Sequence, residues 1–248
     1  MDSGYYAACT ALVARTQALD TVANNIANTS TVGFRAERNL FSSVLANAGS
    51  ASTSPINPVI NSYGILSGTM ADVTQGTMEK TGNDLDLAIE GKGYFAVKTA
   101  DGPMYTRNGA FQVSSKGQVV TAAGDLVLGD KGPINIPADG KISISGDGTI
   151  SSDGAVVGKI KVVEFPQNAE LANAGNSLYS APPNVAPLPV AKESTVRQGV
   201  LENSNVNAVS SMIQLVEAQR NAEMMQKALS MFNSEIDKTA SQDLPKVS

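Results

Sequence analysis

The N-terminal segment carries apolar residues at every seventh position, and these share one helical stripe at about 100° per residue. They are Tyr5, Leu12, Leu19 and Ile26. Uncharged polar residues fall on the opposite face: Thr10, Gln17, Thr21, Asn24 and Asn28. The spacing predicts a helix over about residues 4–29. Its end is indicated by turn-forming residues after position 27 and by Gly33, which permits a left-handed backbone turn.

The C-terminal segment has two apolar stripes. One repeats every seven residues, as in a coiled-coil seam: Leu215, Ala222, Leu229 and Ile236. The other lies well away from it: Val209, Ile213, Val216, Met224 and Met231. A helix that is apolar on two faces needs two neighbours, and the N-terminal helix can supply only one. The pattern therefore predicts that other subunits complete the burial.

The region from Asp84 to about Phe165 alternates apolar and polar residues, and Asp-Gly and Asn-Gly pairs punctuate it as turns. We predict an α+β fold whose N- and C-terminal helices form a coiled-coil-like layer, with an inserted, mainly antiparallel β domain. The expected divisions are an N-terminal helix (1–30), an extended connector or hairpin (31–83), a β domain (84–198) and a C-terminal helix (199–248).

The composition excludes several kinds of partner. The formal net charge is −5, and there is no clustered basic face of the kind that binds nucleic acid. We expect no transmembrane segment, because the chain has no apolar window of about 18 residues or more. The first residues lack the basic-then-apolar order of a secretory signal, so we expect export without a cleaved signal peptide.

The residue types also limit the chemistry. The chain has no His and one Cys, which excludes Ser-His-Asp and Cys-His sites and removes the usual zinc ligands. Cys9 is interpreted as a small packed side chain. We interpret Arg35, Glu37 and Arg38 as solvated or interchain charges rather than a catalytic cluster. No catalytic, cofactor-binding or metal-ligating residue is assigned, and no cofactor or enzymatic activity is expected.

The segment from Thr16 to Phe34 contains a single charge, Asp20. Solvated helix faces usually carry Lys and Glu, whereas amides and hydroxyls can be buried without the desolvation cost of a full charge. This favours a hydrogen-bonded or wet interface on the polar face of the helix over a merely solvated one.

The stretch "NNIANTSTVGFR" resembles the N-terminal signature of flagellar basal-body rod and hook proteins. The matching positions are Asn24, Asn25, Ala27, Asn28, Thr31, Gly33, Phe34 and Arg35. Three further stretches resemble the same family: "LDLAIEGKGYFAV", "YTRNGAFQV" and "GVLENSNVNAV". The short connector before "LDLAIEGKGYFAV" is more similar to the proximal-rod members of this family than to the distal-rod members.

The resemblance implies a structural subunit of the flagellar basal body, with copies of itself and other rod proteins as partners. Rod subunits leave the cell unfolded through the flagellar type III export apparatus and polymerise into a tube that crosses the periplasm. Their terminal helices form its inner wall and their β domains pack outside. The tube transmits torque from motor to hook, and later subunits pass through its bore.

We therefore expect the two terminal helices to pair through their heptad residues. These are Leu12, Leu19 and Ile26 on one side and Leu215, Ala222, Leu229 and Ile236 on the other. Burial stabilises such side chains by roughly 1.5–3 kcal/mol each. Neighbouring subunits would bury Val209, Ile213 and Val216. A distal-rod or hook-type subunit, a carboxylate-based cell-wall hydrolase and a secreted adhesin remain alternatives at this point.

Pairing the two ends within one chain requires closure of a long loop, which costs conformational entropy. We expect the terminal helices to be frayed in the soluble monomer, with fast amide hydrogen exchange over residues 4–29. Hydrogen–deuterium exchange on the purified monomer measures this. Strong protection throughout that segment would contradict the expectation.

Overall fold

A computed structural model of the chain describes residues 2–45, 62–137, 140–166, 169, 171–182, 185–189 and 194–243. The side chains of residues 2–8, 41–45, 62–67, 232–233 and 235–243 lie outside this description, and with them the predicted roles of Tyr5 and Ile236. The chain divides into two compact units. The first contains Met1–Ile26, Glu37–Thr69 and Ala208–Ser248, and the second contains Ala27–Ala36 and Met70–Asn207.

The first unit is built on the two helices and a two-stranded sheet. Helix α1 spans Asp2–Ala27, and the sheet pairs strand β1 (Glu37–Leu45) with β2 (Ser62–Ala71). Helix α2 spans Ala208–Asp243. The predicted N-terminal helix is thus confirmed, with its end two residues earlier than expected. Beyond that end, Thr31 donates its backbone N–H to the carbonyl oxygen of Asn28 and its hydroxyl to the side-chain oxygen of Asn28.

The second unit consists of short strands. In chain order they are β3 (Met78–Lys80), β4 (Leu87–Glu90), β5 (Tyr94–Thr99), β6 (Gly102–Thr106), β7 (Gln112–Val113), β8 (Val119–Val120), β9 (Leu126–Gly129), β10 (Gly132–Pro133), β11 (Ile142–Ile144), β12 (Thr149–Ser152), β13 (Ala155–Lys159), β14 (Val162–Glu164), β15 (Ala172–Gly175), β16 (Leu178–Ser180), β17 (Leu188–Pro189), β18 (Thr195–Gln198) and β19 (Val200–Glu202).

The strands from β3 to β19 pair antiparallel. A ten-stranded sheet has the main order β15-β16-β6-β5-β9-β8-β7, with β10 beside β9, β14 beside β5, and β17 beside β14. Strands β11, β12 and β13 form a three-stranded sheet, while β18 pairs with β4 and β19 with β3. The last two strands of the unit, β18 and β19, therefore pair with its first two strands, β4 and β3.

Strand β5 is buried on both faces, as its alternation of side chains allows. Phe95 and Val97 pack into the larger apolar core, whereas Tyr94 and Ala96 pack into a smaller aromatic core on the other face. The rings of Phe95 and Phe111 meet edge to face at 5.2 Å. These two cores hold the second unit together.

The α+β class with mainly antiparallel strands between terminal helices is confirmed, and the coiled-coil pairing of the helices stays a prediction. The predicted Asp153-Gly154 turn joins β12 to β13 with φ values of 49° and 84°, typical of a two-residue hairpin. Neither helix, over the part of the chain that the structure describes, is both long and apolar enough to span a membrane.

Candidate functional site

The segment that follows α1 turns sharply at Gly33, which adopts a left-handed conformation with φ +67°. A Cβ atom at this position would lie 2.3 Å from the backbone nitrogen of Asn108 and 2.4 Å from the carbonyl carbon of Arg107. Gly33 also donates its N–H to the Glu202 carbonyl oxygen at 2.7 Å. The left-handed turn predicted for Gly33 is confirmed, and backbone packing is a second reason for glycine.

Asn205 connects this segment to two others. Its side-chain oxygen accepts the Ala36 N–H at 2.6 Å, and its amide nitrogen lies 3.1 Å from the Asp72 carbonyl oxygen and 2.9 Å from that of Thr74. The Asn205 backbone N–H faces the Phe34 carbonyl oxygen at 3.4 Å. One amide side chain therefore holds the segment after α1, the segment after β2 and the segment before α2 together.

Three charged side chains meet beside this junction, and we call Arg35, Arg107 and Glu202 the charge cluster. Arg35 Nη2 lies 2.8 Å from Glu202 Oε1, and Arg107 Nη1 lies 3.2 Å from Glu202 Oε2. The side chains of Arg35 and Glu202 are only 2% and 1% exposed, and that of Arg107 is 4% exposed. Each carboxylate oxygen thus faces a different guanidinium group inside the second unit.

Backbone groups surround the charge cluster. Arg107 donates to the carbonyl oxygens of Ile89 at 3.0 Å and Gly91 at 2.7 Å, and its guanidinium carbon lies 5.4 Å from the centre of the Tyr94 ring. The Gly76 N–H donates to Glu202 Oε1 at 3.0 Å. These bonds offset part of the desolvation cost of three buried charges.

Burial lowers the pKa of the Arg107 guanidinium, and the adjacent Glu202 carboxylate works in the opposite direction. Burial also raises the pKa of the Tyr94 hydroxyl. An arginine keeps its charge in proteins, so the charge cluster is a hydrogen-bonded junction rather than a proton donor. Among the described residues, no three Cys, Asp or Glu side chains are grouped so that they could hold a metal ion.

The interpretation of Arg35 as a solvated or interchain charge is wrong. Arg35 is buried, pairs with Glu202 and donates its backbone N–H to the Tyr179 hydroxyl at 3.2 Å. The sequence did not predict this ion pair, because Glu202 lies far from Arg35 along the chain and no local pattern indicates the contact.

Two polar side chains of α1 bind the first strand. Asn25 accepts the Glu37 N–H at 2.8 Å and donates to the Glu37 carbonyl oxygen at 2.9 Å. The buried Thr21 hydroxyl lies 2.9 Å from the Asn39 side-chain oxygen. Part of the polar face is therefore hydrogen-bonded to the same chain, while Asn24 is exposed.

The other residues singled out in the sequence differ in exposure. Within the family motif, Gly33, Phe34 and Arg35 are buried, Asn28 and Thr31 are half-buried, and Ala27 is exposed. Of the predicted pairing residues with described side chains, Ala222 is buried and the rest are half-buried: Leu12, Leu19, Ile26, Leu215 and Leu229. Val209, Ile213 and Val216 are exposed at 70%, 57% and 47%.

Sequence reasoning missed Arg107, Glu202 and Asn205 as members of one site. A signal was present, since "NNIANTSTVGFR", "YTRNGAFQV" and "GVLENSNVNAV" each contain one charged residue. Those three charges are Arg35, Arg107 and Glu202. A lone charge in an otherwise uncharged stretch is a candidate for a buried pair, because a buried charge needs a partner of opposite sign.

Comparison with known proteins assigns the class. A family model described as "Flagella basal body rod protein" matches residues 6–35. The model "Flagellar hook protein FlgE/F/G D1 domain" matches residues 88–152, and "Flagellar basal body rod FlgEFG protein C-terminal" matches residues 197–242. The three matches fall in chain order on the N-terminal helix, on part of the β unit and on the C-terminal helix.

Individual relatives are similar in sequence to this chain over most or all of its length. The chain is 36% identical over 260 residues to the flagellar basal-body rod protein FlgF of Caulobacter vibrioides, covering all of both chains. It is 37% identical to FlgF of Escherichia coli, covering 93% of this chain and 94% of the relative. FlgG of Bacillus subtilis is 34% identical, covering 82% and 84%.

This chain belongs to the flagellar basal-body rod protein family. The family is a structural component of the flagellar rod and not an enzyme family. Membership places the chain in the flagellar basal body, where rod proteins assemble with one another.

Glu202→Gln is expected to destabilise the chain by about 3–5 kcal/mol, because it leaves two buried guanidinium groups without their carboxylate. The matched control is Glu90→Gln, whose carboxylate pairs with Arg197 but is 50% exposed, so its effect should stay below about 1 kcal/mol. Urea unfolding followed by circular dichroism measures both, since the chain has no Trp. Equal losses in the two variants would contradict the assignment.

Gly33→Val is expected to abolish swimming while the β strands stay folded, because a β-branched residue strains the left-handed turn and meets the Arg107–Asn108 backbone. The control is Gly158→Val on β13, where a Cβ atom meets nothing within 4 Å. Swimming in soft agar and circular dichroism of the purified variants are the measurements. Normal swimming of Gly33→Val would remove Gly33 from this site.

Proposed function

We propose that the chain is a proximal-rod subunit that polymerises into the tube of the bacterial flagellar basal body. The tube spans the periplasm, transmits torque from motor to hook and lets later subunits pass through its bore. Relatives named FlgF that match over nearly their whole length support the proximal position. The observation that carries the proposal is the exposed apolar stripe on α2.

This stripe consists of residues that a soluble helix would normally bury. They are Val209, Ile213, Val216, Met224 and Met231, and the last two are 61% and 72% exposed. Val209, Ile213 and Val216 follow one another at helical spacing, and an exposed apolar group of this kind is typical of a site of association. Burial of such side chains stabilises an interface by roughly 1.5–3 kcal/mol each. We propose that neighbouring rod subunits cover the stripe.

The heptad stripe of α2, which begins at Leu215, is proposed to pair α2 with α1 in a coiled-coil-like layer. The side chains involved are less exposed than those of the stripe above, which supports the pairing: Leu12, Leu19 and Ile26 on α1, and Leu215, Ala222 and Leu229 on α2. Ile236 is proposed to extend the seam. In the tube, residues 1–30 and 199–248 would then supply the inner wall, residues 31–83 the connector and residues 84–198 the outer β domain.

The family motif and the charge cluster have a mechanical role in this proposal. Gly33 and Asn205 lie in the segments of the second unit that follow α1 and precede α2. Three ion-pair and hydrogen-bond contacts at Glu202 hold both segments in one place. A fixed exit allows each subunit to present its helices in the same way, and a repeated interface that does not close gives a filament.

The proposal includes export through the flagellar type III apparatus without a cleaved signal, which supplies unfolded subunits to the growing end. A distal-rod or hook-type position is the alternative, because relatives named FlgG also match most of the chain. Electron microscopy of basal bodies from a deletion strain separates the two, since loss of a proximal subunit removes all parts beyond it, including the distal rod.

Ile213→Asp is expected to abolish rod assembly and swimming, because a charge placed in the stripe must be desolvated at the proposed subunit interface. The matched control is Gln214→Asp, which puts the same charge on the next exposed position of α2. Counts of basal bodies and the unfolding midpoint of each purified variant are compared. Normal swimming of Ile213→Asp, or equal loss in the control, would contradict a role for the stripe.

A further inference from the structure

A recess of about 380 Å³ opens beside the charge cluster in the second unit. Its apolar walls come from Val73, Tyr94, Phe165 and Leu171, and its polar lining includes Lys92 and Arg107. The Tyr94 and Phe165 rings meet edge to face with centroids 6.0 Å apart. Val73 is 76% exposed at the recess, so an apolar surface is open to solvent next to a cationic one.

The recess carries an excess of positive charge. Its lining and the adjoining charge cluster contain three cationic and two anionic side chains: Lys92, Arg35 and Arg107 against Glu164 and Glu202. The Nε atoms of Arg35 and Arg107 are buried and have no hydrogen-bond partner among the described residues. Within the lining, Lys92 is exposed to solvent, and a surplus of cations in a concave surface attracts a carboxylate.

We infer that the recess binds an acidic side chain, adjacent to an apolar one, from a second copy of this chain. This inference rests on the proposed function, because it needs polymerisation. The partner carboxylate would approach the exposed Lys92, while the apolar neighbour packs against Val73 and Phe165. A second copy fits by charge, since the chain has 23 acidic and 18 basic residues and its net charge of −5 is opposite in sign to the surplus in the recess.

This contact differs from the one proposed for the α2 stripe. The stripe is apolar and belongs to the first unit, whereas the recess combines aromatic walls with cations in the second unit. A central apolar anchor beside a desolvated charge is the arrangement that carries most of the energy in many protein interfaces. In this proposal the stripe holds neighbouring subunits together, and the recess determines which partner binds and in which register.

The first test places a photo-crosslinking amino acid at Val73 in cells that assemble the flagellum. Basal bodies are isolated after irradiation, and crosslinked peptides are identified by mass spectrometry. We expect a crosslink to a peptide of a second copy that contains Asp or Glu beside an apolar residue. The control position is Val156, which is 71% exposed and does not line the recess.

The inference would be overturned if the photo-crosslinker at Val73 gave no crosslink, if it crosslinked to a different protein, or if it crosslinked to the same peptide as the one at Val156. The second test is Lys92→Glu, which should lower the number of assembled rods by about tenfold or more, because it replaces the exposed cation of the recess by an anion. Lys98→Glu on β5 is the matched control, because Lys98 is exposed outside the recess. Circular dichroism confirms that both variants fold.

The two proposals can fail separately. If Lys92→Glu assembles normally while Ile213→Asp does not, the recess inference fails and the proposed function stands. If both variants assemble normally and cells swim, polymerisation through these surfaces fails as a whole. Loss of rods in Lys92→Glu and retention in Lys98→Glu, together with the Val73 crosslink, support the recess as an interface.

Discussion

The ion pairs that Glu202 makes with Arg35 and Arg107 are the interaction on which the remaining structure depends. A buried carboxylate is costly unless it is paired, and here each of its oxygens faces one guanidinium group. The three side chains come from the segment after α1, the loop after β6 and the end of β19. None of the three can be buried favourably until the other two are in position. The charge cluster therefore couples the segments that follow α1 and precede α2 to folding of the second unit.

Buried charges at such a junction restrict which geometry the chain can adopt more than they raise its free energy of unfolding. An apolar junction of the same size could slide by one residue at small cost, whereas an ion pair with backbone donors accepts one geometry. Gly33 adds to this, because its close approach to the Arg107–Asn108 backbone leaves no room for a side chain. Asn205 completes the junction, because its side chain makes three hydrogen bonds to two other backbone segments.

The exposed stripe of α2 has the opposite character. Its residues are apolar, flexible in part and uncommitted to any polar partner, which suits contacts with successive neighbours. Rod proteins assemble with one another, and an exposed apolar surface is consistent with such assembly. In the proposed function, directional polar contacts act within the subunit, and the less directional apolar surface of the stripe is left for contacts between subunits.

The sequence by itself determined the two terminal helices, the strand-rich middle, the left-handed Gly33 and the family, because heptads, alternation, turn residues and motifs are all local signals. The tertiary structure alone decided that Arg35 is buried and that Glu202 bridges it to Arg107, which lies 95 positions from Glu202. It also decided that β5 is buried on both faces and that Asn25 bonds β1. Local patterns indicate which face of an element is apolar. Only the folded chain brings distant single charges into contact, and in the low dielectric of the interior a buried charge is stable only when it is paired.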